Sequence, residues 1–261
     1  MNTPRRAALF VTCVVDQLMP EVGVATVKLL WRAGFEVDFP SQQTCCGQPY
    51  FNSGFRKEAQ KLAMRSIEIF ENQEIVVLPS GSCTSMIRFE YPELMADQDG
   101  WSERAELLAS KTFELSEFLV YQAGWAPQPS QSMANTASPS AGNGESQSSI
   151  TGPSVTYHDS CHMCRHLKLK SEPRQLLEAA GCSLREMSES DRCCGFGGLF
   201  SIRMPEVSTA MTTEKLRLAS ESKAAAVVTA DPGCLMQMRQ MSGTAGLEIR
   251  HLAEVLEEAT R

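Results

Sequence analysis

The chain has 261 residues, 43% hydrophobic and 21% charged, which is enough to bury a full core in one large domain or two small ones. Its 24 basic and 31 acidic residues leave a formal charge of -7 with no long single-sign block, so nothing points to a nucleic-acid partner. No run approaches the roughly 18 apolar residues of a membrane span, and ten cysteines in a reducing compartment point to metal binding or thiol redox chemistry ahead of stable disulfides.

The first apolar run, Ala7-Ala8-Leu9-Phe10-Val11, reaches Asp16 quickly and offers no small-residue cleavage site. It reads as a buried strand over 7–13 and not as an export signal, and a cytoplasmic protein is expected. Cys13 closes that strand. A helix over 20–34 and a strand over 36–40 follow, then the loop Cys45-Cys46-Gly47, a helix over 55–71, a strand over 74–79, Cys83, and helices near 84–95 and 103–123. Residues 126–153 are almost free of large apolar side chains, too poor in buriable surface to offset the entropy of ordering, and are expected to be a flexible linker. Beyond it come a strand over 154–159 leading to Cys161, a helix over 172–180, a strand over 184–188, the loop Cys193-Cys194-Gly195, a helix over 205–221, a strand over 225–230, Cys234 with a helix from 235, a strand over 247–250 and a last helix from 251.

The order repeats, and so do the cysteines. Cys13, Cys45 and Cys46 recur 148 positions later as Cys161, Cys193 and Cys194, and Cys83 recurs 151 positions later as Cys234. The chain is an internal duplication: a first cysteine-rich domain over 1–125, the linker over 126–153, and a second domain over 154–261. Alternating strands and helices predict an α/β fold of two repeated lobes, each with a mostly parallel sheet flanked by helices. In such sheets ligands gather beyond the carboxyl ends of the strands, which is where this order places the thiols of both sets. Four thiols per lobe are therefore expected to converge.

Soft thiolates select zinc, copper(I) or iron–sulfur centres. Structural zinc sites usually draw ligands from C-x-x-C knuckles. Here the paired cysteines are directly adjacent and the others lie more than thirty residues away, which favours a multinuclear iron–sulfur centre, with zinc and a redox dithiol left open. Gly47 and Gly195 let the backbone turn closely behind each pair. Cys164 forms C-x-x-C with Cys161 but has Asp16 as its counterpart, and Cys182 has no cysteine counterpart; both read as lying outside the sets, Cys182 as a core residue. Met86 reads as core, His251 as a helix cap, and His158 and His162 either as satisfied structural histidines or as donors beside Cys161. Gly195-Phe196-Gly197-Gly198-Leu199-Phe200 puts Phe200 where a dinucleotide loop needs its third glycine, so no nicotinamide site is legible, and neither is a flavin site.

These cysteines, with the phrases Cys46-Gly47-Gln48-Pro49, Gly81-Ser82-Cys83-Thr84 and Cys194-Gly195-Phe196-Gly197-Gly198, resemble the duplicated CCG cysteine-rich domains of heterodisulfide reductase and of the glycolate oxidase iron-sulfur subunit. The likeness is greatest to the lactate utilization protein A family. That resemblance implies an iron–sulfur electron-transfer subunit in L-lactate oxidation to pyruvate, an oxidoreductase component without a complete substrate site of its own. It implies up to one [4Fe-4S] cluster per lobe, held by Cys13, Cys45, Cys46 and Cys83 and by Cys161, Cys193, Cys194 and Cys234. The implied partners are a ferredoxin-like iron–sulfur subunit and a third small subunit, with the small 2-hydroxy acid handled by the complex. The heterodisulfide reductase branch closes each domain with C-x-x-C, whereas here those positions read Cys83-Thr84-Ser85-Met86 and Cys234-Leu235-Met236-Gln237, so four thiolates fit an ordinary cubane. A thiol/disulfide redox enzyme and a zinc-stabilised interaction scaffold are the alternatives.

Overall fold

The computed structural model of the chain describes residues 5–129, 152–243 and 246–261. Most of the segment read as a linker, 130–151, lies outside these residues. In the first lobe β1 (Arg5–Leu9), β2 (Phe35–Asp38), β3 (Val76–Leu78) and β4 (Thr112–Glu114) form a sheet in the order β2-β1-β3-β4. In the second, β5 (Ser154–Tyr157), β6 (Ser183–Leu184), β7 (Ala226–Thr229) and β8 (Glu248–His251) form one in the order β6-β5-β7-β8. Every pairing in both is parallel. The central strands explain this: β3 (Val-Val-Leu) and β7 (Ala-Val-Val-Thr) are buried along their whole length, as strands covered by helices on both faces must be.

Helices α1 (Cys13–Leu18), α2 (Pro20–Arg32), α3 (Gln48–Asn52), α4 (Arg56–Phe70), α5 (Gly81–Ser85), α6 (Tyr91–Met95), α7 (Ser102–Ser110) and α8 (Leu115–Glu117) surround the first sheet. A π-helical turn, Met86–Glu90, joins α5 to α6, and another, Phe118–Gln122, extends α8. The second lobe carries a π-helical turn over His162–Leu167, then α9 (Ser171–Ala179), α10 (Leu199–Arg203), α11 (Pro205–Glu221), α12 (Pro232–Ser242) and α13 (Leu252–Ala259). α2 starts at Pro20, which is pre-set for a first helical turn, and buries Val22, Ala25, Thr26, Leu29 and Leu30 in one 3.6-period stripe. α4 does the same with Ala59, Ala63, Ser66, Ile67 and Phe70.

Three readings of local structure need correction. The helix expected over 103–123 is interrupted by β4, because Thr112 and Phe113 favour extended backbone and the Glu114 side chain accepts hydrogen bonds from the Ser116 and Glu117 amides, starting a new helix. The first strand ends at Leu9, and Cys13 opens α1 in place of closing the strand. The strand expected over 184–188 is only Ser183–Leu184.

The lobes share one core. Leu9, Leu29 and Phe118 of the first lie in the same apolar cluster as Val155, Met163 and Leu256 of the second. α2 packs on α13, and α9 packs on α8. Around the first contact Arg32 reaches the Glu257 carboxylate at 3.0 Å and its carbonyl at 2.8 Å; at the second, the Tyr121 hydroxyl donates to Glu172 at 2.6 Å. α5 packs on the turn over His162–Leu167 so closely that a Cβ at Gly81 would meet the Met163 side chain at 2.6 Å. The cysteine-bearing ends of the two lobes therefore adjoin one another.

Candidate metal centres

In the first lobe Gln43 ties the loop after β2 to the end of β1: its amide nitrogen donates to the Leu9 carbonyl (3.1 Å) and its oxygen accepts from the Val11 amide (2.8 Å). That clip sets Cys45 and Cys46 beside Cys13, which opens α1 after Thr12 at φ 72. A β-branched residue at positive φ is strained by about 1–3 kcal/mol, and here the strain adjoins a cysteine of the set. Gly47 turns at φ 88, its amide donates to the Cys45 sulfur at 3.4 Å, and the Cys46 carbonyl accepts from the buried Tyr91 hydroxyl at 2.8 Å. Cys83 arrives in the first turn of α5, its amide bound by the Ser80 hydroxyl at 3.3 Å. The Cys46 and Cys83 sulfurs are 3.2 Å apart, and Cys13 and Cys45 are hydrogen-bond partners.

The second lobe repeats this. The Gly195 amide donates to the Cys193 sulfur at 3.4 Å, the Cys194 and Cys234 sulfurs are 3.1 Å apart, and Cys161 pairs with Cys193. The Cys194 carbonyl accepts from the Thr212 hydroxyl at 2.8 Å, where the first lobe uses a tyrosine. The N-cap of the helix bearing Cys234 is Asp231, whose other carboxylate oxygen accepts the Ser82 amide of the first lobe at 2.8 Å. All eight repeated cysteines are thus gathered into two quartets, one per lobe, at the carboxyl ends of the parallel strands.

Each quartet has one acidic member. Accepting from Cys13, then Cys46, holds Cys45 down to about 3, and the same contacts from Cys161 and Cys194 hold Cys193 down to about 2. Their donors Cys13, Cys161, Cys46 and Cys194 are pushed up, first by those hydrogen bonds and then by burial or a further thiol contact. Taking up a metal in four-thiolate form must release the remaining protons.

The thiols are strung along each quartet in sequence order and not bunched. A single tetrahedral ion with metal–sulfur bonds of about 2.3 Å sets its four sulfurs about 3.8 Å apart. Among the described residues, the one set of three His, Cys, Asp or Glu whose donor atoms all lie within 4.8 Å of one another is His158, Cys194 and Cys234. No three thiols of either quartet meet that spacing. Four soft donors in each lobe suit a metal ion or a metal–sulfur cluster.

The remaining residues divide. Cys164 and Cys182 are buried outside the quartets, Cys182 within the apolar core; Met86 is fully buried; and His251 caps α13, accepting the Ala253 amide at 3.1 Å. His162 reaches across the lobes to the Gln48 amide at 3.2 Å. His158 is fully buried, held neutral by burial with its pKa down to about 3, and neither ring nitrogen makes a hydrogen bond of normal length and angle, the Ser190 backbone acting on the ring only through a poorer contact. Sequence reading missed Lys215, fully buried, which donates to the carbonyls of Glu189 (3.0 Å) and Ser190 (2.8 Å) just before Cys193; burial pulls its pKa down to about 8. A lysine on the buried stripe of α11, between Thr212 and Leu216, was the available signal. The same loop is held by Asp159, which accepts from the Ser190 hydroxyl at 2.7 Å and takes both terminal nitrogens of Arg174 at 2.9 Å.

Two adjoining parallel α/β lobes, each ending in a Cys-Cys-Gly quartet, define a tandem cysteine-rich domain protein. The CCG cysteine-rich domain model matches residues 7–88 and 155–239, and the chain belongs to that family. Within it, the chain is 41% identical over 254 residues to Lactate utilization protein A of Bacillus subtilis (strain 168), covering 96% of this chain and 98% of that one. It is 43% identical over 259 residues to Lactate utilization protein A of Halalkalibacterium halodurans, covering 98% of each. It is a member of the lactate utilization protein A family. No helix among the described residues is long and apolar enough to cross a membrane.

Proposed function

We propose that this chain is an iron–sulfur electron-transfer subunit of a cytoplasmic complex that oxidises L-lactate to pyruvate. The observation that carries the reading is the pair of matching thiol quartets, one per lobe, set on adjoining ends of the two lobes. Cys13, Cys45, Cys46 and Cys83 would hold one [4Fe-4S] cluster and Cys161, Cys193, Cys194 and Cys234 a second, each within its own domain on either side of the linker. A bound cluster supplies reversible one-electron storage. The protein positions the thiolates, donates the Gly47 and Gly195 amides to sulfur and buries two thiols of each quartet, Cys46 with Cys83 and Cys194 with Cys234. The lactate utilization role comes from the name its relatives carry. A ferredoxin-like subunit and a third small subunit supply the electron path and the remainder of the substrate site.

Anaerobic purification with iron and sulfide analysis tests this directly. The expected result is iron and sulfide for two centres per chain, about half of it lost in Cys46→Ser and about half in Cys194→Ser, with EPR signals that respond to lactate once the partner subunits are added. Stoichiometric zinc without iron rejects the reading. The 3.1 and 3.2 Å sulfur contacts favour one second reading, a thiol/disulfide redox enzyme, whose signature is disulfide turnover by the isolated chain.

A further inference from the structure

The quartets match, but their surroundings do not. By the 148-residue offset Phe10 corresponds to His158. Phe10 stacks on Phe70 with centroids 4.9 Å apart and planes 11° from parallel. In its place the second lobe has an imidazole with one N–H and one lone pair, neither in a hydrogen bond of normal length and angle, although the Ser190 backbone lies near enough to act on the ring. The helices backing Gly47 and Gly195 align Ala59 with Ser208 and Leu62 with Met211, which puts Ser66 opposite Lys215. One lobe has a phenyl ring and a hydroxyl where the other has two nitrogen groups, all four fully or almost fully buried.

Leaving a buried polar group poorly paired is costly, so a retained imidazole needs a partner. A ring nitrogen of His158 lies within 4.8 Å of both the Cys194 and Cys234 sulfurs, so the centre those sulfurs hold can accept its N–H in competition with the Ser190 carbonyl. Lys215 donates to the Ser190 carbonyl at 2.8 Å, three residues before Cys193, and the charges acting on it are Asp159 first, then Cys194 and Cys234.

We propose that His158 and Lys215 make the two centres inequivalent: the His158 N–H donates to sulfur at the second centre, Lys215 sets a buried cation beside it, and the second centre therefore has a higher reduction potential than the first. Reduction adds negative charge to a centre, and an N–H donor and a nearby cation stabilise that charge, whereas Phe10 offers the first centre neither. This rests on the iron–sulfur reading of the quartets.

The test is an EPR-monitored potentiometric titration of the anaerobically prepared full chain, after its iron and sulfide have been counted, with signals assigned to lobes through Cys45→Ser and Cys193→Ser. Two separate potentials are expected, the higher from the second lobe. His158→Phe should shift that potential down toward the first and alter its signal without moving the first, while His158→Gln, which keeps an N–H, should retain most of the difference. Equal potentials in the unaltered chain, or a second potential unmoved by His158→Phe, overturn the proposal alone. A chain without iron overturns the underlying reading as well, and the count reveals it first. If His158→Phe does not keep its iron, Phe10→His decides: a rise in the first potential supports the proposal, and no change overturns it.

Discussion

Cys45 and Cys193 are each the acceptor of a small hydrogen-bond circuit made from sulfur, so the sites are pre-arranged to lose protons in favour of a metal. Other buried titratable groups serve the fold. Glu114 is fully buried with one oxygen lacking any partner, and burial raises its pKa to about 8 even though three donors converge on the other oxygen. Its folded pKa lies above its unfolded one, so its contribution is fully present below about pH 4.5 and lost as pH rises through about 8. Relative to Glu114→Gln, the unaltered chain should lose up to a few kcal/mol between about pH 5 and pH 9 in denaturant titrations, at ~1.4 kcal/mol for each tenfold difference in proton affinity between the folded and unfolded carboxyl. Equal pH slopes for the two proteins would reject this.

At the scale of elements, each Cys-Cys-Gly loop works because glycine turns it directly against the helix behind. Gly195 has φ +88, and a Cβ there would meet the Ser208 carbonyl at 2.6 Å, on α11. Gly54 has a similar φ of +85 but nothing within 4 Å. Backbone strain alone costs about 1–2 kcal/mol, so Gly54→Ala should lose about 1 kcal/mol of stability. Gly195→Ala adds a backbone clash and should lose more than about 2 kcal/mol, together with the iron that the proposed second centre would hold. Thermal denaturation and iron analysis of both variants check this; similar losses at the two glycines would mean that close packing behind the loop is unimportant.

For the whole molecule, the shared core makes the lobes one cooperative unit. Glu257 on α13 is held down to about 2, first by its hydrogen bonds from Arg261 and then by Lys28 of α2, with Arg32 of α2 also bound. A depressed carboxylate stabilises the fold above its unfolded pKa, and that contribution disappears as pH falls from about 4.5 through about 2. Glu257→Gln should cost about 2 kcal/mol, the scale of hydrogen bonds to a charged group, and calorimetry should show a single transition at a lower temperature. Two resolved transitions in the unaltered chain would show that the lobes unfold independently. If the quartets hold iron as proposed, its removal with a chelator should also lower the transition temperature, since a ligand bound by the folded state alone stabilises that state.

The duplication, the parallel α/β plan and the eight repeated thiols were legible in the amino-acid order, because strand hydrophobicity, turn glycines and cysteine spacing are local properties. β4 was hidden, since Thr112–Glu114 is too short to show a period and lies between two helical patterns. So was the character of the second centre. Lys215 is one lysine in a helical stretch and His158 one histidine at a strand end; only the packing of α11 and β5 against the Cys-Cys-Gly loop shows that both are buried beside sulfur. Local sequence determined what each lobe is built from, whereas the difference between the lobes depends on which distant side chains share a low-dielectric interior, and that the tertiary structure decided.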